Sequence, residues 1–150
     1  MTNNPIICAV DTPDVAKAVQ LASQLKGSVG ALKLGLDFFT ANGAAGVAQV
    51  ASQDAPVFLD LKFHDIPNTV SGAIKSTAGM NVFMLTVHTG GGPAMLRAAA
   101  EAAAIFKKKP LVVGVTVLTS LDETDLRAVG VEGTLQDQVK RLAALAQTAG

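Results

Sequence analysis

The stretch Asp60-Leu61-Lys62-Phe63-His64-Asp65-Ile66-Pro67-Asn68-Thr69 carries most of the information in this chain. It leaves a short apolar run, residues 57–61, and places polar groups at the alternate positions Asp60, Lys62 and His64. Side chains alternate faces along a strand, so Asp60, Lys62 and His64 are predicted to share one face, and Leu59, Leu61 and Phe63 the other. The apolar set can meet helices, while the polar set faces a barrel interior or a cleft mouth. A buried charge without a partner there is strongly unfavourable, so compensation is required. Asp11, Lys33 and Asp65 can provide it if adjacent strands bring them to Asp60 and Lys62, giving an alternating network of carboxylate and ammonium groups. A purely structural ion-pair network is the plain alternative.

Working outward, similar apolar runs occupy residues 6–10, 31–36, 57–61, 82–87 and 111–117, with starts 25, 26, 25 and 29 residues apart. Each is brief and bounded by turn residues, as expected of strands buried in a parallel sheet. Helix patterns lie between them. Thr12 is read as the cap of a first helix with Pro13 at its first position, an apolar stripe from Val15 to Leu25, and Gly27 as its stop. Pro93 opens a second clear helix bearing Leu96, Ala99, Ala100, Ala103 and Phe106, followed by lysines at 107–109 that complement its negative end. Thr134 with Asp137 forms a capping-box pattern for a last helix through Leu135, Val139, Leu142 and Ala146.

Five strand-helix alternations predict a parallel sheet covered by helices. No linker or composition shift divides residues 1–150, which are read as a single domain. Two architectures fit: a doubly wound, flavodoxin-like sheet of five strands, or five units of a (β/α)8 barrel, which runs to about 250 residues. Length alone favours the first.

Hydrophobic residues make up 49% and charged residues 16%, a balance that folds around a core rather than remaining disordered. Twelve basic residues match twelve acidic ones, so no net field gathers nucleic acid or anionic membrane, and the absence of Trp and Tyr gives no stacking platform. The start, Met-Thr-Asn-Asn-Pro, does not resemble a secretory signal, and no apolar run approaches the ~18 residues of a membrane span. A lone cysteine, Cys8, fits a reducing compartment. The expectation is a cytoplasmic protein.

The ten residues from Asp60 to Thr69 resemble the signature of the orotidine 5'-phosphate decarboxylase family, bacterial type. The core Asp-x-Lys-x-x-Asp is shared with Mg²⁺-dependent sugar-phosphate decarboxylases and synthases, whereas the continuation His-Asp-Ile-Pro-Asn-Thr is similar to the nucleotide enzyme. Asp11 after the first strand, Lys33 on the second, His88-Thr89-Gly90-Gly91, and Val-Thr-Val-Leu-Thr-Ser at 115–120 extend the resemblance. It implies a TIM (β/α)8 barrel, of which this chain holds the first five βα units, and reverses the preference based on length.

The resemblance implies decarboxylation of orotidine 5'-phosphate to UMP, with no cofactor and no metal. Lys62 would be the proton donor, with Asp60, Asp65 and Lys33 as further catalytic groups. Substrate contacts would come from Asp11, Lys33, Asp60, Asp65, Ile66, Thr69, Thr119 and Ser120. Asp65, with Ile66 and Thr69, would complete the neighbouring site of a homodimer with shared active sites. The family closes its barrel with three more units that carry a phosphate-gripping Gly-Arg. Arg97, Arg127 and Arg141 do not match that arginine, so the 150-residue chain alone is expected to be poorly active. His64 is read as a core or interface histidine, Phe38 and Phe39 as core, and Gly90-Gly91-Gly92 as a turn. The competing readings are the Mg²⁺-dependent relatives and, in another class, a receiver-type regulatory module. The latter lacks support, because Asp11 has no acidic neighbour and Val115-Thr116-Val117, at the end of the fifth run, holds no lysine.

Overall fold

A computed structural model describes residues 4–150. Residues 1–3, part of the N-terminal stretch read for a leader, lie outside the described residues. The elements follow the order β1 (Ile7–Val10), α1 (Val15–Leu25), β2 (Ala31–Gly35), α2 (Leu36–Ala51), β3 (Val57–Phe63), α3 (Pro67–Ser76), β4 (Val82–His88), α4 (Gly92–Ala104), β5 (Leu111–Val115), α5 (Glu123–Ala128) and α6 (Leu135–Ala149). All strand pairs are parallel, and the spatial order β1-β2-β3-β4-β5 is the order in sequence. A flavodoxin-like sheet would set β1 between β2 and β3. Here β1 is an edge strand, and the chain has five consecutive units of a (β/α)8 barrel rather than a doubly wound sheet.

The register sorts the strand residues into two faces. Val10, Leu34, Leu59, Leu85 and Val112 lie side by side on the outer face. The first four are fully buried beneath the helices, with Phe38, Val47 and Val50 of α2 in one cluster and Val70, Ile74 and Met95 of α3 and α4 in another. Phe63 packs against both clusters and joins them. The inner face carries the row Ala9, Lys33, Phe58, Met84 and Leu111, with Asp60, Thr86 and His88 toward the carboxyl ends. Apart from Thr86 its residues are less buried, and Leu111 is 46% exposed.

Local chemistry explains the helix ends. Thr134 and Asp137 form the expected capping box, each accepting from the other's backbone N–H. At α1 the expected cap is corrected. Asp14, not Thr12, is the N-cap: its carboxylate accepts from the Ala16 and Lys17 N–H groups at 2.9 and 3.1 Å. Thr12 instead accepts from the Asp14 N–H, and Pro13 precedes the helix. Both residue types cap well, but only Asp14 leaves the proline outside the first turn. Gly27, at φ 77°, follows α1 as expected. Within α2, Gly43 (φ 58°, ψ −159°) breaks the helical path, a conformation that glycine reaches without a Cβ clash.

The outer layer carries the stability of the sheet. Leu59→Ala, which empties a site of 0% exposure, is expected to destabilise the chain by about 2–5 kcal/mol, read as a lower midpoint of urea unfolding with an unchanged slope.

Candidate active site

Three strands bring four charged side chains together at their carboxyl ends. Lys62 Nζ lies 3.0 Å from both carboxylate oxygens of Asp60. Lys33 Nζ stands 3.8 Å from Asp60 Oδ2 and 4.0 Å from Asp11 Oδ1. The result is a chain of alternating charge, Asp11, Lys33, Asp60, Lys62, in which each ammonium faces a carboxylate. Exposure is lowest at Asp60: the Asp11 side chain is 81% exposed, whereas that of Asp60 is 15% exposed. Ion pairing therefore matters most at Asp60, where less water competes.

The geometry rests on an irregularity that the alternation pattern does not anticipate. β3 pairs with β4 at Leu59↔Leu85 and next at Phe63↔Val87, so four steps along β3 span two along β4. Within this bulge Lys62 takes the left-handed conformation, φ 52°. That conformation costs about 1–2 kcal/mol in a residue with a Cβ, and bulges of this kind re-aim side chains beside active sites. Asp60 and Lys62 do meet, as expected, but through a distorted backbone rather than a regular strand. The Lys62 N–H donates to Thr86 Oγ1 at 2.9 Å, and the Thr86 hydroxyl donates to Asp60 Oδ1 at 2.9 Å. Thr86, only 3% exposed, was absent from the residues expected from sequence. Its signal, a polar residue inside the apolar run 82–87, was available but did not say what it touched.

Asp65 does not join the charge network, contrary to the expectation from spacing. Its Oδ1 accepts from the Ile66 N–H at 2.6 Å, and it forms no ion pair among the described residues. The chain has left β3 after Phe63, so the two-residue period no longer sets its direction. Ile66 and Thr69 are exposed at the turn into α3 and within its first turns, and Thr119 and Ser120 are exposed in the loop after β5. All four follow strand carboxyl ends. Thr89, fully buried, donates to the Val115 carbonyl at 2.6 Å and ties the ends of β4 and β5.

The two histidines pack on each other. The rings of His64 and His88 are stacked at 5.0 Å with 12° between planes. His88 Nδ1 accepts from the Gly90 N–H at 3.2 Å. Of the expected turn Gly90-Gly91-Gly92, the first two lie in a 3-10 turn with Thr89 and Gly92 opens α4; Gly91 also seats the histidine pair, since a Cβ there would lie 3.2 Å from the His64 ring and would collide with Met95 Sδ. Burial, then the nearby His64 and Lys62, hold the His88 pKa below its usual 6.5. Among the described residues no group of three or more His, Cys, Asp or Glu side chains converges to hold a metal ion. No helix among them is long and apolar enough to cross a membrane.

Parallel strands in sequential order, with a lysine-aspartate network at their carboxyl ends, place the chain in the (β/α)8-barrel class, a fold whose sites lie at that face. Residues 4–150 match the model of the Orotidine 5'-phosphate decarboxylase / HUMPS family, and the chain belongs to that family. Orotidine 5'-phosphate decarboxylase from Paramagnetospirillum magneticum is 51% identical over 98% of this chain, and that from Novosphingobium aromaticivorans 53% identical over 99%. The chain spans about 65% of the length of these curated relatives. In structure it matches the crystal structure of Orotidine 5'-phosphate decarboxylase from Lactobacillus acidophilus with a TM-score of 0.90 at 30% identity, covering 99% of this chain and 69% of the other.

The direction of the His88 shift gives a pH dependence. Unfolded, the imidazole takes up its proton near pH 6.5; folded, it does so only at lower pH. The unfolded state therefore binds more protons between those values, and stability falls as pH drops from above 6.5 through the folded pKa. His88→Phe keeps an aromatic ring and removes the titration. The stability lost between pH 8 and pH 5, followed by urea unfolding, is expected to be smaller in His88→Phe than in the unsubstituted protein.

Proposed function

We propose that the full-length protein converts orotidine 5'-phosphate to UMP and CO2, using Lys62 as the proton donor. The observation that carries this reading is the Lys62 ammonium, held at 3.0 Å from both oxygens of Asp60 by a strained backbone. Strain of this kind is kept where surrounding structure over-determines it, and it clusters at functional sites. The names of relatives at 51% and 53% identity favour the nucleotide substrate within the family.

In this reading the C6–carboxylate bond breaks, CO2 departs, and the electron pair stays on C6 of the pyrimidine. The fixed Lys62 ammonium stabilises that charge and then gives its proton to C6, leaving UMP and a neutral amine. Asp60 holds Lys62 and Lys33 in place before the substrate arrives, so little reorganisation is needed during the reaction. It also sits beside the departing carboxylate. Asp11 and Lys33 bind the ribose hydroxyls, and Thr119 and Ser120 face the pyrimidine. The reaction in this scheme calls for neither metal nor organic cofactor.

Asp65, Ile66 and Thr69 serve a neighbouring site across a homodimer interface. Ile66, at 67% exposure, and the absence of Asp65 from its own chain's network support that assignment. Residues 1–150 act as one domain of a cytoplasmic enzyme. The 150-residue chain by itself is expected to turn over poorly. Lys33 and Lys62 both face carboxylates, and Arg97, Arg127 and Arg141 lie on α4, α5 and α6, so no cation of the described inner face is left for the 5'-phosphate.

Lys62→Ala in the full-length protein should lower UMP formation by at least about 10²-fold, followed by the loss of orotidylate absorbance. Near-normal turnover would sink the assignment. Activity should survive EDTA; its loss, with recovery on adding Mg²⁺, would favour the sugar-phosphate branch of the family.

A further inference from the structure

We propose that Thr86 is a positioning residue for the reaction, setting the direction of the Lys62 side chain and the orientation of the Asp60 carboxylate through one hydroxyl. The kinetic part rests on the decarboxylase reading above; the geometric part does not.

The argument begins with the bulge. In a regular parallel ladder the Lys62 N–H would find a backbone acceptor on a neighbouring strand. The jump from Leu59↔Leu85 to Phe63↔Val87 leaves no ladder pair for Lys62 with β4. A partly buried N–H without an acceptor is costly. Thr86 Oγ1 takes its place at 2.9 Å. An oxygen that accepts from Lys62 turns its own proton elsewhere, and that proton meets Asp60 Oδ1, also at 2.9 Å. The hydroxyl is thus committed on both sides, and Asp60 Oδ1 receives Thr86 and the Lys62 ammonium together. Three groups separated by 24 and 26 residues in sequence are locked to one another.

Threonine suits this role in two ways. Its β-branch restricts χ1, so the oxygen is held in place rather than searching for partners. Its burial, with 3% exposure, limits competition from water. Loss of the hydroxyl would free the left-handed Lys62 backbone and one oxygen of Asp60 at the same time. The ammonium would then no longer be held where C6 needs it. Misplacement on the order of 1 Å can cost about 10²-fold in rate. Substrate contacts from Asp11 and the loop after β5 would persist, so binding should suffer less than turnover.

The test compares Thr86→Val, which keeps shape and removes the hydroxyl, with Thr86→Ser, which keeps it, in the full-length protein. Thr86→Val is expected to lower kcat by about 10–10²-fold with KM changed less than threefold, and Thr86→Ser to restore kcat to within about threefold. In parallel, amide hydrogen exchange at Lys62 should be at least tenfold faster in Thr86→Val and close to the unsubstituted rate in Thr86→Ser. Equal kcat in all three proteins, equal impairment of both variants, or unchanged Lys62 exchange in Thr86→Val would overturn the proposal. If Thr86→Val does not fold, Thr86→Ala takes its place with the same expected directions. An unsubstituted protein without decarboxylase activity would sink the functional reading and leave the exchange comparison to decide the role of Thr86.

Discussion

The carboxylate of Asp60 is the point on which the site depends. It lies deep enough for its charge to need partners, and it has them on three sides: the Lys62 ammonium, the Thr86 hydroxyl and, further off, the Lys33 ammonium. Each partner comes with a structural demand. Lys33 requires β2 beside β3 in the observed register, Thr86 requires β4 on the other side, and Lys62 requires the backbone to leave the strand path and return. A parallel sheet with strands in sequential order meets the first two demands. The bulge meets the third.

Much of this was legible from the residues. The alternation of Asp60 and Lys62 with Leu59 and Leu61 separated the inner and outer faces of β3, and the spacing of apolar runs located every strand. The convergence of Asp11 and Lys33 on Asp60 also followed, because parallel neighbours of similar length bring equivalent positions side by side. Strand order was not contained in that periodicity: a flavodoxin-like sheet has the same alternation of elements. The motif from Asp60 to Thr69 decided between the two.

The features that were not legible each have a physical cause. Thr86 acts through a hydroxyl whose partners lie 24 and 26 residues away, so no local pattern reports it. Asp65 lies beyond the end of β3, where the period of two has lapsed and a short bond to the next residue turns the carboxylate aside. Thr12 and Asp14 are both capable caps two positions apart, and the turn around Pro13 selects between them. Gly90 and Gly91 read as a turn, which they are, but their lack of side chains also leaves room for His64 and Met95, neighbours known only once the chain has folded.

The division between the two faces of the sheet bears on how such a protein can change. Val10, Leu34, Leu59 and Leu85 are packed under helices, whereas Ala9, Lys33, Phe58 and Met84 sit one register step away on a face that contributes little to that core. Mutational tolerance is therefore partitioned strand by strand. Inner positions can be exchanged for new binding or chemical groups while the outer layer keeps the scaffold folded. Thr86 is the exception, an inner residue buried as deeply as the core, so the freedom to exchange groups on the inner face does not extend to it.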